Sequence, residues 1–319
     1  MLWTLRLAAC SLAATTGLAC AQAMPNEPIR PLPKDSGADP ARAALGRVLF
    51  NDLRLSRDNT QSCASCHQAA RGGADSKPLS AGPGGILTAF NTPTVYNSTL
   101  NVRQMWTGRH SGIDALLGHA MGPGGDGRSN WALVASRLIG DDDIGARFQR
   151  ALGSDISADG VKDALGHYLR SLQTPSRFDR YLRGELNAID ADEKAGYAKF
   201  KGYGCVACHQ GINVGGNMYQ KLGAMRELAP SVRAAGTLGR YSVTGREADR
   251  YMVRVPSLRN VALTAPYLHN GSVATLEEAV DAMFKYQLGR SASPQDRAQI
   301  VRFLHTLTGE TLPAPGAAR

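Results

Sequence analysis

Two five-residue segments of the chain share the order Cys-x-x-Cys-His, CASCH at residues 63–67 and CVACH at residues 205–209. Two residues between the thiols match the separation of the vinyl groups of a haem, and the following histidine ligates the iron. A zinc knuckle and a redox disulfide are the alternatives for two such thiols. A histidine after the second cysteine in both segments favours haem. We therefore predict two covalently bound haems c, held by Cys63, Cys66 and His67 and by Cys205, Cys208 and His209.

The ligand opposite each histidine decides what a haem can do, because methionine suits electron transfer whereas an open position admits peroxide. Candidates for the second haem are Met218, Met225, Met252 and Met283. Met218 follows His209 too closely to cross to the other haem face, whereas Met283 lies on a predicted helix well downstream. Packing in a core is the more common use of methionine. The spacing nevertheless favours Met283 as the sixth ligand.

The first residues of the chain have the pattern of an export signal. Arg6 is followed by an apolar run and then by a small-x-small pattern that ends at Ala23, as a signal peptidase requires. We expect residues 1–23 to be a signal peptide and the mature protein to be periplasmic. The apolar run is shorter than the ~20 residues of a membrane-spanning helix. Cleavage would remove Cys10 and Cys20 and leave only the cysteines of the two motifs.

The chain has a modest excess of basic over acidic residues, with a formal net charge of +9 at pH 7. Basic residues are scattered, without the runs or interleaved aromatic residues of a nucleic-acid-binding surface. Such a balance can steer an acidic redox partner, although an ordinary solvated surface is the simpler interpretation. We therefore expect neither nucleic-acid binding nor a membrane span.

Length and pattern divide the chain into two units, because 319 residues exceed what one core usually organises. A proline-rich arm over residues 24–39 lacks periodic apolar positions, and we expect order to begin near Pro40. A first haem domain over 40–186 and a second over 187–319 each present a helix, a loop and a Cys-x-x-Cys-His motif, which is an internal repeat. The predicted fold is mainly α with long loops. Its predicted helices span 41–50, 130–139, 145–152, 160–173, 191–202, 275–286 and 294–308, with caps at Asp190, Thr275 and Ser293.

Longer stretches around both motifs resemble those of bacterial di-haem cytochrome c peroxidases. After the first motif come GGADSKPLSAG, FNTPTVYNSTL and MWTGR, and the most specific stretch near the second is VPSLRNVALTAPYLHNGSVATLEEAVDAM, at residues 255–283. The resemblance runs from about residue 40 to residue 312 and extends to the di-haem enzyme that matures methylamine dehydrogenase. It implies two cytochrome c-like haem domains that meet at an interface containing haem and calcium.

The resemblance also implies a function and its partners. Electrons from a small cytochrome c or cupredoxin would enter at the C-terminal haem, ligated by His209 and Met283. Hydrogen peroxide would be reduced to water at the N-terminal haem on His67. A homodimer is one candidate assembly. Trp106 matches the family tryptophan that lies between the haems as a relay, although an aromatic wedge in the domain interface is also a compatible role.

A structural Ca²⁺ is implied as well, with ligands from the side chain of Asn91 and the carbonyl groups of Thr264 and Pro266. Such oxygen ligands suit a hard cation. Buried haem propionates require cationic or hydrogen-bonding partners, and we expect these from Arg109, Arg254 and Arg259. Among the histidines, His269 is expected to hydrogen-bond near this interface, whereas solvent-facing positions are expected for His167 and His305.

The chain departs from the family pattern in the pocket of the first haem. Peroxidases of this family commonly carry, after the first motif, a histidine that caps the resting iron, and Pro83 stands at the matching position. Proline cannot ligate iron. We therefore predict a first haem that is five-coordinate or water-bound at rest and that needs no prior reduction.

A second departure concerns proton transfer. The family places a glutamine and a glutamate after the MWTGR-like segment, whereas no glutamate lies between Glu27 and Glu185. Cleavage of the O–O bond needs a group that moves a proton, and histidine titrates in a useful range. His119 aligns near the glutamine and is the first choice, although a lone histidine is more often a surface or structural residue. Ser129 aligns near the glutamate, and further candidates are His110, Asp114 and Asp126.

Three functions fit these observations. The leading hypothesis is a peroxidase whose catalytic residues are His119, Trp106 and Arg109. The first alternative is a di-haem oxidase that modifies a protein or an organic substrate through high-valent iron. The second is a non-catalytic electron carrier or haem sensor, because the missing glutamate would also fit lost peroxidase chemistry. Likeness at the level of the fold does not separate these functions.

Overall fold

A computed structural model describes residues 26–120, 130–230, 232 and 238–312. The expected signal peptide, Asp126 and Ser129 lie outside these residues. As predicted, the described chain is mainly helical. Its helices are α1 Pro40–Phe50, α2 Cys63–Cys66, α3 Gly112–Ala120, α4 Trp131–Leu138, α5 Asp142–Leu152, α6 Ala158–Ser171, α7 Arg177–Leu182, α8 Ala191–Gly202, α9 Tyr241–Thr244, α10 Leu276–Ala282 and α11 Pro294–His305.

Besides several short 3-10 turns, the described ranges contain a π-helical turn and two strands. A π-helical turn, Met283–Gln287, continues α10. The strands β1, Tyr219–Lys221, and β2, Met252–Arg254, form an antiparallel pair. Within the described ranges, every helix is too short or too polar to cross a bilayer.

Helix starts follow the polar caps that the sequence predicts. All three predicted caps accept a hydrogen bond from the first turn of their helix: Asp190, Thr275 and Ser293. Helix ends agree less well, because α10 stops at Ala282 and α11 at His305. The sequence pattern does not predict α7, which Ser176 opens through a capping box with Asp179. A helix of six residues is too short to show an apolar period.

Two helix pairs mark the two haem units. In the first unit α1 packs on α6, and in the second α8 packs on α11. Both pairs cross at a glycine. A β-carbon at Gly46 would lie 2.0 Å from the carbonyl oxygen of Ala164, and one at Gly196 would lie 1.9 Å from that of Gln299. The internal repeat predicted from the motifs therefore extends to the way the helices pack.

Two hydrophobic cores lie beside these helix pairs. The first core contains, among others, Leu49, Phe148 and Leu165. The second contains, among others, Phe178, Phe303 and Leu307. Because Phe178 lies on α7, this helix packs with the second core although it precedes residue 187. The domain boundary between residues 186 and 187 stays a prediction.

The described part of the N-terminal arm is ordered, contrary to the expectation that order begins near Pro40. Ile29 and Leu32 are buried, and Ile29 forms a β-bridge with Gly211. The backbone N–H of Leu32 donates to the carboxylate of Asp179 at 2.8 Å. Periodicity misses such a segment, because its prolines favour extended backbone and only isolated side chains are buried. Ile29 of the arm is part of the C-terminal core.

Candidate functional site

The C-terminal motif follows α8 on a short 3-10 turn, Cys205–Ala207, which begins after a left-handed residue, Gly204, at φ 86°. Cys205, Cys208 and His209 all line one cavity of about 330 Å³. Both thiols are free, and burial raises the pKa of Cys205 to about 11. This turn therefore presents two unpaired thiols and an imidazole to one space.

Met283 lines the same cavity as His209. It is the first residue of the π-helical turn after α10. Most of the other lining side chains are apolar, and Arg254 is the only Lys, Arg, Asp or Glu among the described lining residues. An apolar space that brings an imidazole and a thioether together fits a haem with histidine and methionine ligands.

His209 is half-buried with a buried Nδ1 atom, and burial lowers its pKa to about 4. The ring is therefore neutral near pH 7, which is the form that ligates a metal. Backbone groups of Val214 and Pro256 act on the ring and partly offset this effect, but Nδ1 has no partner at full hydrogen-bond geometry. The imidazole is thus available to a metal in its cavity.

The N-terminal motif lies on α2 and the residue that follows it. Ser62 opens this one-turn helix through a capping box with Ser65. Burial raises the pKa of Cys63 to about 11 and also raises the pKa of Cys66. Both thiols are free, as in the C-terminal motif.

His67 is held by the glycine-rich turn after its motif, since its Nδ1 lies 3.2 Å from the carbonyl oxygen of Gly73. A carbonyl oxygen only accepts, so Nδ1 carries the proton and Nε2 keeps its lone pair. Metal-ligating histidines commonly donate their second N–H in this way. Burial lowers the pKa of His67 and so favours the neutral ring. These donors fit a c-type haem at this motif too.

Trp106 and His269 line the C-terminal cavity and contact each other there. Nε1 of Trp106 donates to the carbonyl oxygen of Asn91 at 2.9 Å, which fixes the orientation of the indole. His269 is buried, and burial lowers its pKa. Its Nδ1 has no hydrogen-bond partner in the part of the chain that the structure describes.

The three expected calcium ligands line this cavity as well: Asn91, Thr264 and Pro266. The Asn91 amide donates to the carbonyl oxygens of Lys77 at 2.9 Å and Pro78 at 3.3 Å. Its Oδ1 is therefore left as an acceptor. In the described ranges no group of three or more His, Cys, Asp or Glu residues could hold a metal. A neutral set of amide oxygens nevertheless fits a hard cation.

The loops that carry Trp106 and His269 are copies of each other. Residues 91–113 and 254–276 align with an offset of 163 residues (254 minus 91). Two left-handed residues, a left-handed glycine and a closing β-bridge recur at equivalent positions. They are Asn97 and Asn260, Met105 and Leu268, Gly108 and Gly271, and the bridges Gln104–His110 and Tyr267–Val273. The repeat therefore includes the loops between the motifs and the following helices, α3 and α10.

Two backbone hydrogen bonds cross between the copies. The N–H of Asn91 donates to the carbonyl oxygen of His269 at 2.9 Å, and the N–H of Arg254 donates to that of Trp106 at 2.8 Å. Positions 91 and 254 are equivalent, and so are positions 106 and 269. Each copy thus holds the aromatic residue of the other.

His119 lies on the last turn of α3 and is exposed. Its Nδ1 lies 3.2 Å from the carbonyl oxygen of Ala115, and its ring centroid lies 4.9 Å from that of His110. The structure therefore brings two of the candidates together. Asp114 pairs with Arg170 at 3.4 Å, and the backbone of Pro83 opens a short 3-10 turn.

Two expectations for polar residues need correction. Arg259 cannot serve a propionate, because its guanidinium forms a fully buried ion pair with Asp179 at 2.9 Å. Arg109 is exposed and does not line the cavity of the C-terminal motif, and its expected contact with a propionate stays a prediction. His167 does not simply face solvent, because its Nδ1 accepts a hydrogen bond from the N–H of Asp39 at 2.9 Å. Arg254, by contrast, lines the cavity, and the exposed position of His305 is confirmed.

Sequence reasoning missed the carbonyl group of Gly73 as the partner of His67. The pair Gly72-Gly73 shortly after the motif is the signal that could have identified it, because glycines permit the left-handed turn that aims this carbonyl. The copied loops were also missed. Their signal is the recurrence of proline, asparagine, leucine and glycine at one offset in 91–113 and 254–276.

Comparisons with known proteins agree with this geometry. Residues 40–187 match the profile of the di-haem cytochrome c peroxidase family. The chain is 40% identical over 290 residues to cytochrome c peroxidase Ccp of Escherichia coli K12, an alignment that covers 90% of this chain but only 62% of that longer protein. It is 39% identical over 287 residues to cytochrome c551 peroxidase of Nitrosomonas europaea, covering 89% of this chain and 85% of that one.

A solved structure shows the same architecture. It is a MauG-like protein associated with microbial copper homeostasis, with 28% identity, a TM-score of 0.74, and coverage of 90% of this chain and 95% of that chain. The two motifs, the helical fold, the copied loops and these relatives lead to one conclusion: the chain belongs to the di-haem cytochrome c peroxidase family, a family of oxidoreductases.

Proposed function

We propose that the chain is a periplasmic di-haem peroxidase that reduces hydrogen peroxide to water with electrons from a small redox protein, such as a cytochrome c or a cupredoxin. Electrons enter at the site of His209 and Met283, and peroxide reacts at the site of His67. The haems are attached through the sulfur atoms of Cys63, Cys66, Cys205 and Cys208.

The observation that carries this proposal is the inequality of the two sites. Met283 lines the cavity of His209. In the 163-residue offset, the position equivalent to Met283 is Ala120 (283 minus 163). Ala120 ends α3, and Met283 directly follows α10. Alanine has no atom that ligates iron, which supports a closed C-terminal site for electron transfer and an open N-terminal site for peroxide.

When bound, haem supplies the redox-active iron at which the O–O bond is reduced. The protein must also move a proton from the near oxygen of peroxide to the far one. His119 precedes Ala120 on the last turn of α3, and we place it beside the open position. Because a carbonyl oxygen only accepts, the contact of Nδ1 with Ala115 places the proton on Nδ1. In this orientation Nε2 faces away from that carbonyl group, and it is the atom that would take a proton from peroxide and return it to the departing oxygen.

His119 therefore supplies what the missing glutamate would supply. A base at this position works only if its ring keeps one orientation, and the contact with the carbonyl of Ala115 provides that restraint. The adjacent ring of His110 restricts the imidazole on another side. Trp106 is the relay between the two sites in this proposal, and its indole is fixed by Asn91.

We also propose that Asn91, Thr264 and Pro266 bind a structural Ca²⁺. Support comes from their common cavity and from the two hydrogen bonds that turn the amide of Asn91 so that Oδ1 is left as an acceptor. Such an ion would join the loop of residues 91–113 to its copy. It would therefore hold the two haem units in a fixed relation.

Turnover with a donor tests the proposed activity. Purified protein with both haems is mixed with peroxide and a reduced cytochrome c, and the oxidation of the donor is recorded. We expect two donor molecules oxidised per peroxide, because H₂O₂ + 2 H⁺ + 2 e⁻ gives 2 H₂O. A rapid spectral change without donor oxidation would indicate an oxidase of a protein or organic substrate. No reaction with peroxide would indicate an electron carrier or sensor.

A further inference from the structure

Positions 91 and 254 have the same role in the backbone but carry different side chains. Both donate their N–H to the aromatic residue of the opposite loop, Asn91 to His269 and Arg254 to Trp106. Both positions line the C-terminal cavity. Because the backbone is placed alike at both positions, the two sites differ in their side chains, a neutral amide at Asn91 and a charged guanidinium at Arg254.

The side chain of Arg254 contacts residues 101–105, which are equivalent to the segment that contains the expected calcium ligands Thr264 and Pro266. Its Nε donates to the carbonyl oxygen of Met105 at 3.1 Å, and Nη1 donates to Oδ1 of Asn101 at 3.3 Å. Asn101 is equivalent to Thr264 in the 163-residue offset (264 minus 163). Arg254 therefore places a positive charge against residues 101–105, the copy of the segment that begins with the expected calcium ligand Thr264.

The charge of Arg254 has no anionic partner in the described ranges of the chain. Its side chain is buried, and none of the ion pairs among described residues includes it. Burial lowers its pKa to about 10, so the group is still protonated at neutral pH. A buried charge is costly without an opposite charge. A haem brings two carboxylates, and the cavity that Arg254 lines contains no other described Lys or Arg.

We propose that Arg254 is a built-in cation that takes, in one copy of the loop, the place that Ca²⁺ takes in the other. The guanidinium holds residues 101–105 and neutralises a propionate of the C-terminal haem. Asn91, at the equivalent position, has no charge and recruits a metal ion instead. This inference rests on the proposed function, and in particular on the proposed calcium site.

The inference predicts that the two cations can be exchanged. Arg254→Asn recreates Asn91 at the equivalent position, and Arg254→Lys is the matched control that keeps the charge. Holoprotein of each form is dialysed against calcium and analysed for bound metal, and the reduction potential of the C-terminal haem is measured by spectroelectrochemistry in calcium and in chelator. The parent protein is expected to bind one Ca²⁺ per chain.

We expect Arg254→Asn to lower the potential of the C-terminal haem in chelator, because loss of a nearby positive charge favours the oxidised iron. Added Ca²⁺ should bind as a second ion and raise that potential again. Arg254→Lys should keep the parental potential and a single Ca²⁺. The reciprocal variant Asn91→Arg should lose the metal, keep both haems, and show the same melting temperature with and without chelator.

Three results would overturn the inference: a parent protein without bound calcium, an unchanged potential in Arg254→Asn, or an equal fall in Arg254→Asn and Arg254→Lys. The third result would mean that shape rather than charge matters at this position. If Arg254→Asn does not fold, Asn91→Arg still decides, because retention of its calcium would contradict the equivalence. Peroxide turnover by the same parent preparation separates each of these failures from a failure of the peroxidase proposal.

Discussion

The imidazole of His269 meets the indole of Trp106 edge to face, with ring centroids 6.4 Å apart and planes inclined at 69°. The two residues occupy equivalent positions of the copied loops (269 minus 163 is 106). The indole Nε1 donates to the carbonyl oxygen of Asn91, whereas Nδ1 of His269 has no partner in the described part of the chain. A symmetric backbone thus carries an asymmetric pair of rings.

This pair leads to a prediction for Trp106→Phe. Phenylalanine keeps an aromatic ring against His269 but is harder to oxidise and has no N–H for Asn91. We expect both haems to remain attached and electron transfer between them to slow. Rapid mixing of the half-reduced protein with peroxide measures that rate. Transfer at the parental rate would show that Trp106 is a wedge in the interface rather than a relay.

His119→Ala tests the proposed base. We expect peroxide turnover to fall by about 10²- to 10⁴-fold, as is typical for loss of a general acid–base group. Haem content and reduction potentials should stay parental, because His119 is not an expected ligand. His305→Ala is a matched control, since His305 is also an exposed histidine on the last turn of its helix. Equal activity in the two variants would remove His119 from the mechanism.

Met283→Leu tests the sixth ligand of the C-terminal haem. Leucine fills a similar volume without a sulfur atom, so the haem should remain attached while its reduction potential falls, because a methionine ligand raises the potential. Electron entry from the donor should slow accordingly. Met252→Leu serves as the control, because Met252 does not line the cavity. A parental potential in Met283→Leu would assign the ligand elsewhere.

Asp179→Asn should destabilise the protein by about 3–5 kcal/mol, because it leaves the buried charge of Arg259 without its partner. Burial alone would raise the pKa of Asp179, but Arg259 and the hydrogen bonds from Leu32 and Ser176 outweigh burial and lower it. A lowered carboxyl pKa stabilises the folded state above the unfolded value of about 4, and this contribution is lost as the pH falls below it.

Denaturant unfolding of the parent and Asp179→Asn at several pH values checks this prediction. The difference in unfolding free energy should be constant from neutral pH to about pH 4 and should narrow below it. Asp143→Asn removes an exposed pair with Arg147 and should leave the unfolding free energy nearly unchanged. A difference that widens in acid would contradict the lowered pKa of Asp179.

Gly196→Ala tests the close crossing of α8 and α11. The new β-carbon would lie 1.9 Å from the carbonyl oxygen of Gln299, so the helices must separate. We expect a loss of about 1–3 kcal/mol or more in unfolding free energy. Gly202→Ala, in the same helix, meets no atom within 4 Å and should stabilise the helix by about 0.4–1 kcal/mol. Opposite signs in the two variants would locate the effect at the crossing.

Local patterns predicted what depends on neighbouring residues in the chain. The motifs at Cys63 and Cys205 and the capping box at Thr275 are features of a few consecutive residues, and the structure has them where the sequence predicts. Met283 was assigned to a helix and shares a cavity with His209, although the helix ends one residue earlier and continues as a π-helical turn.

Contacts between distant residues were the ones that sequence reasoning missed. Arg259 was assigned to a propionate because nothing near it in sequence indicates Asp179, which lies 80 residues away and is buried with it. His167 was assigned to solvent because its helical neighbours do not indicate Asp39, from whose backbone N–H it accepts a hydrogen bond. Both errors treat a polar side chain as free of partners, although a backbone N–H or a carboxylate far away in the sequence binds it.

Because the N-terminal arm contacts the C-terminal core, the two haem units cannot be separated by dividing the chain once between them. The carbonyl of Arg30 accepts a hydrogen bond from Arg259, 229 residues later, and Ile29 packs in the C-terminal core. A fragment that ended before residue 187 would carry Ile29 and Arg30 without Arg259 and without most of the core that contains Ile29. During synthesis Ile29 and Arg30 must therefore wait for the last third of the chain to emerge before they reach their native contacts.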